Sequence, residues 1–118
     1  MLLKVLRAKI HLATVTETRL DYEGSITIDR DLLEAAGLVA GEAVLVSNLA
    51  NGSRQVTYVI AGERGSGAVC LNGASARLAA VGDRLIIMAF AYLAPEEVPA
   101  HTPQTIVLDG SNSIVRGP

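Results

Sequence analysis

Val5-Leu-Arg-Ala-Lys-Ile-His-Leu-Ala-Thr-Val-Thr16 alternates along its length. Leu6, Ala8, Ile10, Leu12, Thr14 and Thr16 make a mostly apolar set, while Arg7, Lys9 and His11 stand in the other. A period of two marks a strand with one buried face. It predicts that Lys9 and His11 point the same way, roughly 6.5 Å apart along the strand. Outward from this segment, similar short apolar runs predict strands over residues 26–28, 43–47, 54–60, 68–71, 85–91 and 105–108. Residues 21–25 and 95–98 read as turns, Asn51–Gly52 as a tight hairpin turn, and the chain beyond Leu108 as a polar tail. Asp29 is placed to cap a short helix over residues 30–36 that stops at Gly37. A second helix opens at Asn72 or Gly73, continues over residues 74–80 and closes at Gly82. Many short strands with two small helices predict a closed, barrel-like, mainly β domain.

The composition agrees with one domain spanning residues 1–118. Half of the residues are apolar, yet there are only three Tyr, one Phe and no Trp, so the core must be aliphatic. With 19% charged residues the chain lies far from disordered composition. A net charge of −2 and a pI near 5.6 argue against a protein built to grip phosphate backbones. A single cysteine, Cys70, excludes a disulfide framework and a cysteine-rich zinc site. The longest apolar run, residues 85–94, is about half of the ~20 residues a membrane helix requires. Lys4, Arg7 and Lys9 interrupt any export signal, so the expected location is the cytoplasm, with no membrane partner. A mean hydropathy of +0.38 is high for a small monomer and predicts a homo-oligomer.

Several constellations bear on chemistry. His11 and His101 are far apart, with no His or Cys at ligand spacing beside either, so no metal is expected. Glu63-Arg-Gly-Ser-Gly67 has glycines and a cation but no long helix or Lys-Ser/Thr after it, and a plain turn is the stronger reading there. Lys9 with His11, and Arg54 with Tyr58, each share one strand face. Two cations, an imidazole and a phenol in one groove would hold and protonate a small anion; ordinary outward-pointing strand residues are the competing reading. The start of the second helix, Asn72-Gly-Ala-Ser75, offers free backbone N–H groups to a carboxylate, or simply a glycine turn. Gly-Ser occurs at residues 24–25, 52–53, 65–66 and 110–111 and so carries little by itself. Gly24–Ser25 stands out because it lies directly between two strands, where a glycine is able to take a strained conformation.

Lys9-Ile-His11, Tyr22-Glu-Gly-Ser-Ile-Thr-Ile-Asp29, Asn51-Gly-Ser-Arg-Gln-Val-Thr-Tyr58, Gly62-Glu-Arg-Gly-Ser-Gly67 and Leu71-Asn-Gly-Ala-Ser-Ala-Arg77 occur in this order. So ordered, they resemble the pyruvoyl-dependent aspartate decarboxylases, from about residue 3 to residue 115 and including a tail like Pro103-Gln-Thr-Ile-Val-Leu-Asp-Gly-Ser-Asn112. The resemblance implies a double-psi β-barrel with short helices, assembled as a homotetramer of processed subunits, four α and four β chains. It implies a self-processing zymogen cut between Gly24 and Ser25, giving a β chain of residues 1–24 and an α chain of residues 25–118. Ser25 would become a pyruvoyl group that forms a Schiff base with L-aspartate, releasing CO2 and β-alanine for pantothenate biosynthesis without PLP or metal. Tyr58 would be the proton donor. Thr57 would steady the oxyanion of the cleavage step and contact substrate. Arg54 and Lys9 would hold substrate carboxylates, Gly73, Ala74 and Ser75 would contribute contacts at the helix start, and His11, Tyr22 and Asn72 would shape the pocket. Two departures stand out: Ser75 where the family has Ala, and Leu12 where a basic residue is common.

A different class of resemblance covers only residues 26–46. Ile26-Thr-Ile-Asp-Arg-Asp-Leu-Leu-Glu-Ala-Ala-Gly37 followed by Gly41-Glu-Ala-Val-Leu-Val46 is similar to swapped-hairpin barrels that bind DNA as dimers. Two lysines and eight arginines in the chain make a poor counterion-releasing surface, so no nucleic-acid partner is expected.

Overall fold

A computed structural model describes residues 1–117; Pro118, the last residue of the expected domain, lies outside the described residues. The described residues fold into nine strands: β1 (Leu3–Thr14), β2 (Glu17–Arg19), β3 (Ser25–Asp29), β4 (Ala43–Asn48), β5 (Arg54–Gly62), β6 (Val69–Asn72), β7 (Arg84–Leu93), β8 (Gln104–Leu108) and β9 (Ile114–Arg116). They pair in the order β2-β6-β3-β5-β4-β7-β1-β8-β9, and the helix α1 (Arg30–Ala36) follows β3. The mixed sheet is not closed by hydrogen bonds and is compatible with a double-psi β-barrel.

The core is aliphatic, as the composition demands. Ile10, Ile26, Ile28, Leu71, Leu85, Ile87 and Ile106 are fully buried in one cluster with Val15, Val44, Val46 and Val59. Burying each such side chain contributes about 1.5–3 kcal/mol before chain entropy is counted.

β1 keeps the expected alternation only as far as Ile10. Leu12 takes φ 68°, a left-handed conformation, and the pairing with β7 slips between His11 and Ala13. The bulge inverts the faces beyond it, so Ala13 and Val15 are buried instead of Leu12 and Thr14. Arg84 takes up the displaced Leu12 carbonyl, donating from Nε at 3.0 Å and Nη2 at 2.8 Å.

Other local readings need adjustment. The hairpin between β4 and β5 is a longer loop over residues 49–53, in which Gly52 supplies the positive φ and Asn51 Oδ1 accepts from Ser53 N at 2.9 Å. The second helix is a 3₁₀ turn over Gly73–Leu78, ending before Ala80, and residues 95–100 form another. The tail is not featureless: β9 pairs antiparallel with β8. α1 matches expectation, with Asp29 Oδ1 accepting from Asp31 N at 2.8 Å and Gly37 in the left-handed region at φ 75°.

Asp29 also answers the question of the glycine loop. Gly65 N donates to its Oδ1 at 3.0 Å and Gly67 N to its Oδ2 at 2.8 Å. The backbone donors that a phosphate would need are therefore spent on the protein's own carboxylate. Nearby Arg64 pairs with Asp31 and Glu34, which neutralises its charge beside α1 and holds the Glu34 carboxyl below its ordinary range.

Candidate active site

The segment between β2 and β3 crosses the end of β6. β3 runs antiparallel to β6 with Ser25 opposite Asn72 and Thr27 opposite Cys70. Side chains alternate, so Ser25, Thr27, Cys70 and Asn72 share one face of the pair while Ile26, Ile28, Val69 and Leu71 enter the core. The polar face borders a cleft of about 360 Å³ that Tyr22, Thr27, Cys70 and Asn72 line together with Glu17 and Arg19. Tyr22 lies at its mouth with the Arg19 guanidinium 5.9 Å from the ring centre.

Ser25 is fully buried. Its Oγ donates to the Glu23 carbonyl at 3.1 Å and accepts from Asn72 Nδ2 at 2.8 Å. Asn72 Nδ2 also donates to Thr27 Oγ1 at 3.1 Å, while Asn72 Oδ1 accepts from Cys70 Sγ at 3.3 Å. Burial first, and the Glu17 carboxylate second, push the Cys70 thiol up to about 11. The residue before Ser25, Gly24, is exposed. A hydroxyl fixed in the interior thus follows directly on an exposed glycine.

The strain expected at Gly24 is found elsewhere. Gly24 is not in the left-handed region, and a Cβ there would meet nothing within 4 Å. Gly73 does both things: its φ is 65°, and a Cβ would lie 2.7 Å from the Tyr22 carbonyl oxygen and 2.8 Å from Gly24 N. Only a glycine lets the 3₁₀ turn approach the loop so closely. Ser75 is buried in that turn, where its carbonyl accepts from Gln55 Nε2 at 3.4 Å; Ala74 is exposed.

β5 runs parallel to β3 with Ile26 opposite Val59, and the same register continued one residue back sets Tyr58 level with Ser25. Arg54, Val56 and Tyr58 occupy the exposed face of β5, Val56 at 73% exposure. Lys9 and His11 lie on β1, separated from β5 in the sheet by β4 and β7, about 14 Å measured strand to strand. Within one chain Ser25 meets Asn72 and Gly24 meets Gly73, with Thr57 and Tyr58 on the adjoining strand β5, while Lys9 and His11 sit on another stretch of the sheet. His11 faces a cationic surrounding. Burial, then Lys9, Arg116 and Arg84, hold its imidazole below the ordinary 6.5, and its Nδ1 is buried without a partner. His101 instead donates from Nε2 to the Leu6 carbonyl at 2.7 Å, a structural bond.

Thr27 and Cys70 were not among the residues singled out from sequence. The signal for them is Ser-x-Thr at 25–27 against Cys-x-Asn at 70–72, which means something only once the antiparallel register of β3 and β6 is known. Among the described residues no cluster of three or more His, Cys, Asp or Glu could hold a metal ion, and no helix is long and apolar enough to cross a membrane.

Comparison with known proteins bears on this arrangement. A family model described as aspartate decarboxylase matches residues 1–115. An aspartate 1-decarboxylase of Caldicellulosiruptor saccharolyticus is 57% identical over 116 residues, covering 98% of this chain and 91% of the relative. That of Neisseria meningitidis is 54% identical over 110 residues, covering 93% and 87%, and that of Staphylococcus aureus 52% over 115 residues, covering 98% and 91%. The family match takes in β1 to β8, the start of β9 and the loop that carries Gly24 and Ser25, and with identities of 52–57% over nearly the whole length it shows that the chain belongs to the aspartate decarboxylase family.

Proposed function

We propose that this chain is a zymogen that cuts itself between Gly24 and Ser25 and then decarboxylates L-aspartate to β-alanine, the precursor required for pantothenate. The observation that carries the reading is Ser25 itself: a buried hydroxyl held by Asn72 and Glu23, directly after the exposed residue Gly24, against whose N and Cα Gly73 is packed.

In the cleavage, Ser25 Oγ attacks the Gly24 carbonyl carbon, the Gly24–Ser25 C–N bond breaks, and the hydroxyl proton passes to the freed nitrogen. The resulting ester joins Gly24 to Ser25 Oγ. Loss of the Ser25 α-proton with rupture of the Cβ–Oγ bond releases Gly24 as a carboxylate and leaves dehydroalanine. Water adds to the imine tautomer of that residue and ammonia departs, leaving a ketone at position 25. Thr57, on the strand β5 that pairs with β3, is suited to donate to the oxyanion formed in the first step.

The residues around Ser25 fit such a group, because Asn72 Nδ2 already donates to that side chain and is itself held by the Thr27 hydroxyl, which accepts a second bond from it. When present, the pyruvoyl ketone supplies an electron sink for the departing carboxylate's electron pair. The chain's own residues do the rest. Arg54 holds a substrate carboxylate and Tyr58 delivers a proton to the substrate α-carbon, while Lys9, three strands from β5 within one chain, supplies a second cation from a neighbouring copy in the assembly. Gly73, Ala74 and Ser75 border the site, and His11, Tyr22 and Asn72 shape it.

Arg54 and Tyr58 share their face of β5 with Val56, and a large apolar side chain so exposed between two working residues supports a homotetramer in which this face is covered. A cytoplasmic location accords with the reading. The test is mass spectrometry of the denatured protein together with CO2 release from labelled aspartate. Fragments of 24 and 94 residues, the larger with a blocked N-terminus, are expected; a chain of unbroken length that releases no CO2 overturns the proposal.

A further inference from the structure

We propose that Cys70 is a positioning residue for Ser25: its thiol proton fixes which way round the Asn72 amide sits, and the amide in turn holds the Ser25 hydroxyl. The inference rests on the reading of Ser25 as the nucleophile of self-cleavage.

A primary amide fits its site in two orientations that exchange a donor end for an acceptor end. Here the nitrogen end meets two hydroxyls, Ser25 Oγ at 2.8 Å and Thr27 Oγ1 at 3.1 Å. A hydroxyl donates or accepts with equal ease, so neither decides the orientation. The discriminating neighbour is Cys70, whose Sγ lies 3.3 Å from Asn72 Oδ1. A protonated thiol is a donor and welcomes the carbonyl end; a thiolate would repel it. The interior position of Cys70 and the nearby Glu17 carboxylate both favour the protonated form.

Glu17 Oε2 is the competing acceptor, 3.6 Å from Sγ, but it already takes a 2.9 Å bond from Arg19 Nε. With the single thiol proton given to Asn72, the Ser25 hydroxyl receives a bond from the amide and directs its own proton to the Glu23 carbonyl at 3.1 Å. The reversed amide would instead draw that proton to itself and turn the hydroxyl away from the loop that is to be cut. Strand geometry makes the relay possible, because Cys70 and Asn72 are two apart on β6 and face Thr27 and Ser25 across the pair.

The experiment follows cleavage of freshly synthesised full-length chain by mass spectrometry, with the melting temperature measured for each variant. Cys70→Ala and Cys70→Val remove the donor and are expected to slow appearance of the 94-residue fragment by roughly fivefold or more, the worth of one hydrogen bond. Cys70→Ser, which keeps a donor, is expected to restore most of the rate. A merely structural role would make the rates follow the melting temperatures instead, and equal rates in all four proteins or rates that track stability overturn the proposal. A second measurement uses the infrared S–H stretch, assignable at once because the chain has one cysteine. The band is expected to shift in Asn72→Ala and to stay in Glu17→Gln; the opposite pattern gives the proton to Glu17 and also overturns it. A wild-type chain that never cuts defeats the cleavage reading itself, whereas a wild type that cuts at a rate indifferent to residue 70 defeats only the role of Cys70.

Discussion

The backbone of Gly73 is packed against that of Gly24, so closely that a Cβ on Gly73 would come within 2.9 Å of the Gly24 Cα. Position 73 lies at the junction of β6 and the 3₁₀ turn, and position 24 on the loop proposed to be cut. The contact makes one glycine a template for the conformation of the other. It also means that the two positions respond to mutation in opposite ways.

Gly73→Ala should destabilise the fold by about 1–3 kcal/mol, because a left-handed residue with a side chain is strained and the methyl group meets backbone. It should also displace the 22–24 loop and slow cleavage. Gly24→Ala adds a methyl group to open space and should melt within about 0.5 kcal/mol of wild type. Thermal unfolding of the two variants is the check; equal losses would contradict the packing described.

Ser25→Ala removes the attacking oxygen. The chain should remain at 118 residues on denaturing mass spectrometry and release no CO2 from aspartate, while keeping its melting temperature close to that of the uncut wild type. Cleavage in this variant would move the nucleophile elsewhere.

Tyr58→Phe should leave cleavage intact and lower kcat by roughly 100-fold or more, as expected on losing a general acid. Arg54→Ala should instead raise KM for aspartate by about tenfold or more, the worth of a charged hydrogen bond. Steady-state kinetics on fully processed protein separates the two; a normal kcat for Tyr58→Phe would remove that residue from proton delivery.

His11 should titrate below 6.5, chiefly through burial and secondly through Lys9. With the folded pKa depressed, the unfolded chain binds the proton more readily. His11 therefore costs stability as the pH falls below the unfolded value, and the loss is complete once the pH has passed the folded one. Lys9→Gln should move the His11 resonance midpoint upward in an NMR titration. An unchanged midpoint would show that Lys9 does not face it.

Much of this was legible in the residues. Alternation revealed β1, and Asp29 with Gly37 bracketed α1 correctly, because capping and left-handed termination are local chemistry. The bulge at Leu12 was not legible: a leucine at φ 68° is held there by Arg84, seventy-two residues away, and no local rule anticipates that. β9 escaped for a similar reason, since its pairing with β8 is decided by the turn at 109–113 and not by its own polarity. At the candidate site, position between two strands set Gly24–Ser25 apart from the other three Gly-Ser pairs, but only family resemblance gave it a role in cleavage. Cys70 and Thr27 became visible only with strand register, which a single sequence does not carry.

The place of β1 has an outcome of its own. It is flanked by β7 on one side and β8 on the other, near the middle of the far half of the sheet. Severing the backbone after residue 24 would therefore divide the polymer without dividing the fold, since the short piece stays clamped by ladders to two neighbours. Unfolding of the nicked protein would then be a dissociation as well as a melting. Its midpoint would climb with protein concentration for that reason, on top of any contribution from subunit assembly.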